Sequence, residues 1–173
     1  NLKISVSAEA QQQDPWYLNA EDNVSQREER KVQNLNSTLA WQATVEQSVD
    51  FDFGYNHDKR PYQAYSAGAY REQEITRIDL GATYKGAWDW GNTTAFIKQE
   101  SSDVSDYNSR YPTPDHDNLE QRNTYAKAYA DAALGAHSVL AGVDYKLEKV
   151  TDPYFLENGS DSTDQYGVFV QDG

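Results

Sequence analysis

Apolar and polar residues alternate along most of this chain with a period of two. In residues 48–56, SVDFDFGYN, the apolar side chains occupy every second position, and polar residues or glycine stand between them. This period is typical of a β-strand with one apolar and one polar face, whereas an amphipathic helix repeats about every 3.6 residues. The pattern predicts an all-β protein with about eight strands, near residues 2–12, 30–43, 46–57, 72–85, 89–101, 121–132, 136–149 and 164–172.

The connections between the predicted strands alternate in length. Short segments follow the second, fourth and sixth strands, and the long ones, rich in Pro, Asn, Asp and Ser, are residues 13–29, 58–71, 102–120 and 150–163. Sequential antiparallel strands would place all short turns at one end of the sheet. A transmembrane β-barrel has this arrangement and long strands, whereas a soluble β-sandwich explains only the alternation. The sequence therefore favours an antiparallel up-and-down transmembrane β-barrel, with the soluble sandwich as the alternative.

Composition narrows the choice of function. The net charge of −13 and the pI near 4.5 argue against a nucleic-acid partner, which requires a basic surface. Aromatic residues make up 13% of the chain, which argues against disorder, and the absence of Cys excludes disulfides and thiolate metal ligands. Several aromatic residues near predicted strand ends are placed where a barrel has its interfacial girdle: Trp41, Tyr55, Tyr84, Trp88 and Trp90.

Two C-terminal segments resemble TonB-dependent outer-membrane receptors. In that family a mid-barrel strand of the form H-x-(L/V)-x-x-G-x-(D/E)-Y precedes a long loop and a strand ending in Y-x-(L/V/A)-F-x-Q-D. HSVLAGVDYKLEK and DQYGVFVQDG are similar to this pair, and residues 83–100 resemble the family's paired strands around a periplasmic turn. Gly173 departs from the pattern, since an acidic residue is expected there. The matching residues are His137, Gly142, Asp144, Tyr145, Tyr166, Phe169, Gln171 and Asp172.

The resemblance implies a 22-stranded barrel that encloses an N-terminal plug. Residues 1–173 would be a single segment of that barrel, an arc of about eight strands without the plug domain. It also implies import of a nutrient chelate, such as a ferric siderophore, across the outer membrane of a Gram-negative bacterium. The implied partners are outer-membrane lipid, the chelate, and the TonB complex through regions outside this sequence. The alternative is a small closed eight-stranded outer-membrane barrel or a soluble sandwich, acting as a binding or structural module.

No catalytic pattern stands out, so we expect no enzymatic activity, no cofactor and no metal site. His116, between Asp115 and Asp117, comes nearest to a metal motif, but adjacent residues on a loop rarely converge on one ion. Tyrosine together with arginine in two of the long loops can stack on and hydrogen-bond a flat polar ligand such as an iron chelate. The candidate ligand-binding residues are therefore Tyr62, Tyr65, Tyr107, Arg110 and Tyr111.

Overall fold

The computed structural model describes residues 1–16, 29–63, 70–109, 119–152 and 156–173, and the regular structure in them is β-strand. Eight strands follow one another, and each pairs with the next. None of the described residues belongs to a helix long and apolar enough to cross a membrane. The strands are β1 (Leu2–Gln13), β2 (Arg30–Gln42), β3 (Gln47–Gln63), β4 (Tyr70–Trp88), β5 (Gly91–Asn108), β6 (Leu119–Leu134), β7 (His137–Thr151) and β8 (Ser160–Asp172).

The strands form one antiparallel sheet in the order β1 to β8, and each pair keeps a single register without a bulge. The prediction of an all-β, up-and-down antiparallel architecture is confirmed. Within the described ranges, β1 and β8 are the two edges of the sheet and do not pair with each other. No second sheet covers either face there, and no described side chain is fully buried. These features favour an arc of a barrel over both a closed eight-stranded barrel and a sandwich.

The sheet has one apolar and one polar face, because successive side chains of a strand point to opposite sides. Directly opposite residues of an antiparallel pair share a face, so the register extends the alternation across all eight strands. Phe51 lies opposite Leu39 and Ala82, and its row continues through Ile97 to Tyr145. We call this side the apolar face. Its large exposed side chains include Leu2, Ile4, Val6, Leu35, Trp41, Phe51, Phe53, Ile78, Leu80, Ile97, Val143, Tyr166, Val168 and Val170.

Short and long connections alternate along the chain, as predicted. Two to four residues join β2 to β3, β4 to β5 and β6 to β7, whereas six to sixteen residues make up the other four connections. Gly135 lies in the turn between β6 and β7 with φ of +67°, a left-handed conformation that residues with a Cβ rarely adopt. All short turns therefore lie at one end of the sheet, and all long connections lie at the other.

The strands extend further toward the long connections than the sequence predicted. β3 reaches Gln63, β4 begins at Tyr70 and β5 reaches Asn108. The apolar alternation ends before these positions, but backbone pairing continues through polar pairs such as Lys59 and Glu74. Backbone hydrogen bonds between neighbouring strands do not depend on side-chain polarity, so they continue the sheet where the apolar pattern has stopped.

Gly91 begins β5 directly after a two-residue turn and lies against the backbone of β6. Its φ is +151°, and a Cβ there would stand 1.9 Å from the carbonyl oxygen of Asp131. We expect Gly91→Ala to push the two strands apart and to lower the free energy of unfolding by about 1–3 kcal/mol. Urea unfolding followed by tryptophan fluorescence measures the loss. Gly135→Ala is the control for backbone strain, because Gly135 also has a positive φ but no atom lies within 4 Å of its added Cβ. An equal loss in both variants would rule out the contact with Asp131 as the cause.

Candidate ligand-binding site

The structure describes only part of the ligand-contact set predicted from the sequence. Three of its members lie outside the described residues: Tyr65, Arg110 and Tyr111. Tyr62 belongs to β3, but its side chain is also outside the described part. Tyr107 belongs to β5, lies opposite Glu72 on the side of the apolar face, and is 44% exposed. The set therefore stays a prediction.

Charged side chains of both signs lie on the face opposite the apolar one, which we call the polar face. Lys146 is paired with Glu148 at 2.9 Å, and Lys98 with Asp79 at 3.8 Å. Such a surface needs water or polar ligands, because hydrocarbon cannot solvate charges. By register, its charged residues include Lys3, Asp50, Asp52, Arg77, Asp79, Lys85, Lys98, Glu100, Lys127, Asp144, Lys146 and Glu148.

Glycines opposite aspartates leave space on the polar face of β3 and β4. Asp52 lies opposite Gly81, and Asp79 lies opposite Gly54. A Cβ added at Gly54 would be 3.2 Å from the Cβ of Asp79, so a larger residue would crowd that carboxylate. The two aspartates and Lys98 border a hollow of about 380 Å³. Oδ1 of Asp79 is buried and accepts no hydrogen bond from the described residues, although it is ion-paired with Lys98 at 3.8 Å.

Three charged residues form a cluster on the polar face near the long connections, which we call the arginine cluster: Arg30, Asp58 and Arg60. Arg30 donates to Asp58 from Nε at 3.0 Å and from a terminal nitrogen at 2.6 Å. Arg60 donates to the same carboxylate from Nε at 3.0 Å and also from a terminal nitrogen. Asp58 is only 4% exposed, whereas the side chains of Arg30 and Arg60 are 47% and 43% exposed.

The buried carboxylate fixes the two guanidinium groups without neutralising both. Asp58 lies three residues beyond Tyr55, outside the apolar rows of the sheet. The hydrogen bond from Arg30 lowers the pKa of Asp58 well below its usual value, and Arg60 acts in the same direction, while burial opposes them. Asp58 therefore stays ionised, and the cluster has a net charge of about +1 by its formal charges. The N–H donors that do not bind Asp58 can bind an anionic or oxygen-rich ligand.

Sequence reasoning missed the arginine cluster because its members are far apart in the chain. Arg30 lies 28 positions before Asp58, and only the register of β2 on β3 brings them together. A partial signal was available, since the period of two places residues 58 and 60 on one face and residue 59 on the other. That signal identifies two neighbouring charges on one face but not their common partner.

The described residues contain no group of three or more His, Asp or Glu side chains that could hold a metal ion. His116 and its two flanking aspartates lie outside the described part. The described part of the polar face can therefore bind a ligand through hydrogen bonds and charge rather than through a metal ion.

Comparisons with known proteins give a match in structure only. No family model matches the chain, and no curated protein matches it either. The siderophore receptor PirA from Pseudomonas aeruginosa matches with a TM-score of 0.76 at 17% identity, over 99% of this chain and 27% of that one. The ferric enterobactin receptor PfeA of the same organism, in complex with BCV-L6, matches with a TM-score of 0.74 at 15% identity, over 99% and 32%. A PfeA variant in complex with enterobactin gives 0.73 at 14% identity over the same shares.

The chain spans about a third or less of the length of these receptors. At such low identity the likeness establishes the fold. The matched proteins are receptors rather than enzymes, in agreement with the expectation from the sequence. The eight strands thus have the fold of part of the barrel wall of siderophore receptors, as the resemblance to the TonB-dependent family implied.

Proposed function

We propose that this chain is part of the barrel wall of a TonB-dependent outer-membrane receptor that imports a nutrient chelate such as a ferric siderophore. The observation that carries the proposal is the two-faced sheet, with all short turns at one end and a close structural likeness to siderophore receptors. An apolar outer surface, a polar interior and long extracellular loops are the features that a solute-conducting barrel requires. Residues 1–173 would form a single barrel segment without a plug domain.

The apolar face fits the thickness of an outer membrane. On β7 its residues run from Val139 to Leu147, a length of nine residues, and a barrel strand needs about 9–11 to cross the bilayer. Trp88 and Trp90 lie at the short-turn end and are 43% and 53% exposed, as expected of an interfacial girdle. We therefore propose a multi-pass β-barrel location in the outer membrane of a Gram-negative bacterium, with membrane lipid as a partner.

The polar face would line the pathway of the ligand. The arginine cluster lies near the long connections, which are extracellular in such barrels, so an incoming ligand would meet it early. Arginine N–H groups bind carboxylate and other oxygen-rich ligands through directed, charge-assisted hydrogen bonds. The residues predicted from the sequence to contact the ligand remain part of this proposal, although Tyr62 belongs to β3 and Tyr107 to β5 rather than to loops: Tyr62, Tyr65, Tyr107, Arg110 and Tyr111.

We propose that coupling to the TonB complex occurs through regions outside this sequence. The 22-strand size of the complete barrel is likewise an implication of the resemblance.

Uptake of a radioactive iron chelate tests the proposal. The full-length protein, expressed in iron-starved cells that lack their own siderophore receptors, should restore uptake from one member of a panel of catecholate, hydroxamate and citrate chelates. The same cells without TonB are the control and should show background uptake. Background uptake of every chelate in the complemented cells, or uptake that persists without TonB, would contradict the proposal.

A further inference from the structure

Two cations lie directly opposite each other on the apolar face of β6 and β7. Arg122 pairs in register with Lys149, and both are exposed. They form the next row after Thr124 and Leu147, with which the apolar rows of these strands end. Because this is the side of the long connections, the two cations lie at the extracellular boundary of the apolar rows.

Like charges directly opposite each other destabilise a sheet unless an anion offsets them. Across the described ranges, neither Arg122 nor Lys149 has a carboxylate within ion-pairing distance. By register, the acidic residues Glu120 and Asp103 lie one row further from the apolar rows. Asp164 lies nearby on β8 but accepts a hydrogen bond from Tyr145 at 2.7 Å. No carboxylate of the described residues neutralises this pair, so an anion from outside them would stabilise it.

A second pair of opposed cations on the same face differs from Arg122 and Lys149, because carboxylates neutralise its charges. Lys31 lies opposite Lys59, but each has carboxylate partners of its own. Lys31 is 2.7 Å from Glu29, and Lys59 is bonded at 2.5 Å to Glu72 and at 2.7 Å to Glu74. Carboxylates of the described residues neutralise this pair, whereas none of them neutralises Arg122 and Lys149, which we call the open pair.

An apolar hollow of about 610 Å³ lies on the same face, on the membrane side of the open pair. Ala126, which lines it, is four residues from Arg122, or about 13 Å along the strand. An unfilled hollow on this face would lose dispersion contacts, and a flexible acyl chain can restore them. Four short side chains leave the space, namely Ala82, Ala95, Ala126 and Ala128, and larger ones such as Tyr84 and Tyr166 border it.

We propose that Arg122, Lys149 and this hollow form a docking site for a phosphorylated glycolipid of the outer leaflet, of the lipid A type. The two cations bind a phosphate group at the membrane boundary, and acyl chains occupy the hollow beneath it. A protein partner fits less well, because it would have to bring both an anion at this level and an apolar projection within the hydrocarbon. The inference rests on the proposed outer-membrane location and is independent of the ligand that is transported.

Lipid retention by the full-length protein in detergent tests the site. Native mass spectrometry with added diphosphoryl lipid A should show saturable binding, and Arg122→Ala/Lys149→Ala should weaken it roughly 30-fold, as expected for the loss of two cations at an anionic lipid surface. The matched control, Lys31→Ala/Lys59→Ala, removes the same charge from the same face and should retain wild-type binding. Equal binding by the wild type and both double variants would overturn the proposal.

Two further measurements test whether the hollow belongs to the site and whether the bound lipid is a glycolipid. Ala128→Phe fills the hollow while leaving both cations in place, and it should weaken lipid A binding at least several-fold; unchanged binding would remove the hollow from the site. Phosphatidylglycerol that binds as tightly as lipid A, with the same sensitivity to the double variant, would overturn the assignment to a glycolipid. Failure of the chelate-uptake experiment leaves these readouts unaffected, whereas a protein outside the membrane would retain no lipid in any variant.

Discussion

Replacing Ala126 by arginine should lower the free energy of unfolding in a lipid bilayer by about 2–4 kcal/mol, the cost of arginine at mid-bilayer depth on a barrel exterior. Ala126 lies on the apolar face between Ile97 and Tyr145. The matched control is Asn123→Arg on the same strand, which places the new charge on the polar face between Glu100 and Glu148. That variant should change stability by no more than about 0.5 kcal/mol.

Urea unfolding of the full-length protein in liposomes measures both effects, and heat-modifiable migration in gels reports the folded fraction. Ala132→Arg gives a second control, because Ala132 shares the apolar face but lies opposite Gly91 beside the short turn. Its cost should fall to about 0–1 kcal/mol, since arginine near the interface can reach water. Equal losses at positions 126 and 123 would contradict the assignment of the two faces. Equal losses at 126 and 132 would indicate a protein core instead of a bilayer.

Arg60→Ala should weaken chelate binding by the full-length receptor roughly tenfold or more, because a charge-assisted hydrogen bond is worth about 1.5–3 kcal/mol. Arg30 keeps its two hydrogen bonds to Asp58 in this variant, so the sheet should fold normally. Lys59→Ala is the matched control, since it removes the same charge from the next residue but on the apolar face. Fluorescence quenching by titrated ferric chelate measures the affinities. Similar affinities of the two variants would exclude the arginine cluster from the ligand pathway.

Asp58→Ala tests whether Asp58 affects ligand binding by positioning the two arginines or only by its charge. Removing the carboxylate raises the net positive charge, so a purely electrostatic role predicts tighter binding of an anionic chelate. If Asp58 positions the two arginines, binding should weaken instead.

The arginine cluster should also be insensitive to pH near neutrality. Because the folded protein lowers the pKa of Asp58, the stability that its ionised carboxylate contributes is fully present above the usual aspartate pKa. That stability is lost as pH falls through the lowered value. Binding through the cluster should therefore stay constant between about pH 5 and 8.

The local pattern was sufficient to predict most of the fold. Val49, Phe51 and Phe53 alternate with Asp50 and Asp52, and this period assigns both the strand and its two faces. The lengths of the connections likewise predict which end of the sheet has short turns. The strand ends were less predictable, since backbone pairing continues into polar segments that have no apolar period.

The ligand-contact set depended on loop composition, and most of it lies outside the described residues. Tyr107, its one member with a described side chain, lies on the side of the apolar face. The arginine cluster was missed, because no local pattern links Arg30 to Asp58.

The sequence by itself determined that this protein is a run of two-faced antiparallel strands with alternating short and long connections. These features are local, because a period of two and a turn are encoded within a few residues. Only the tertiary structure decided which residues meet across strands. Register is a long-range property, and a shift of one residue would move every side chain to the other face. It is the register that joins Arg30 to Asp58 and Arg60, and that leaves Arg122 facing Lys149 above an apolar hollow.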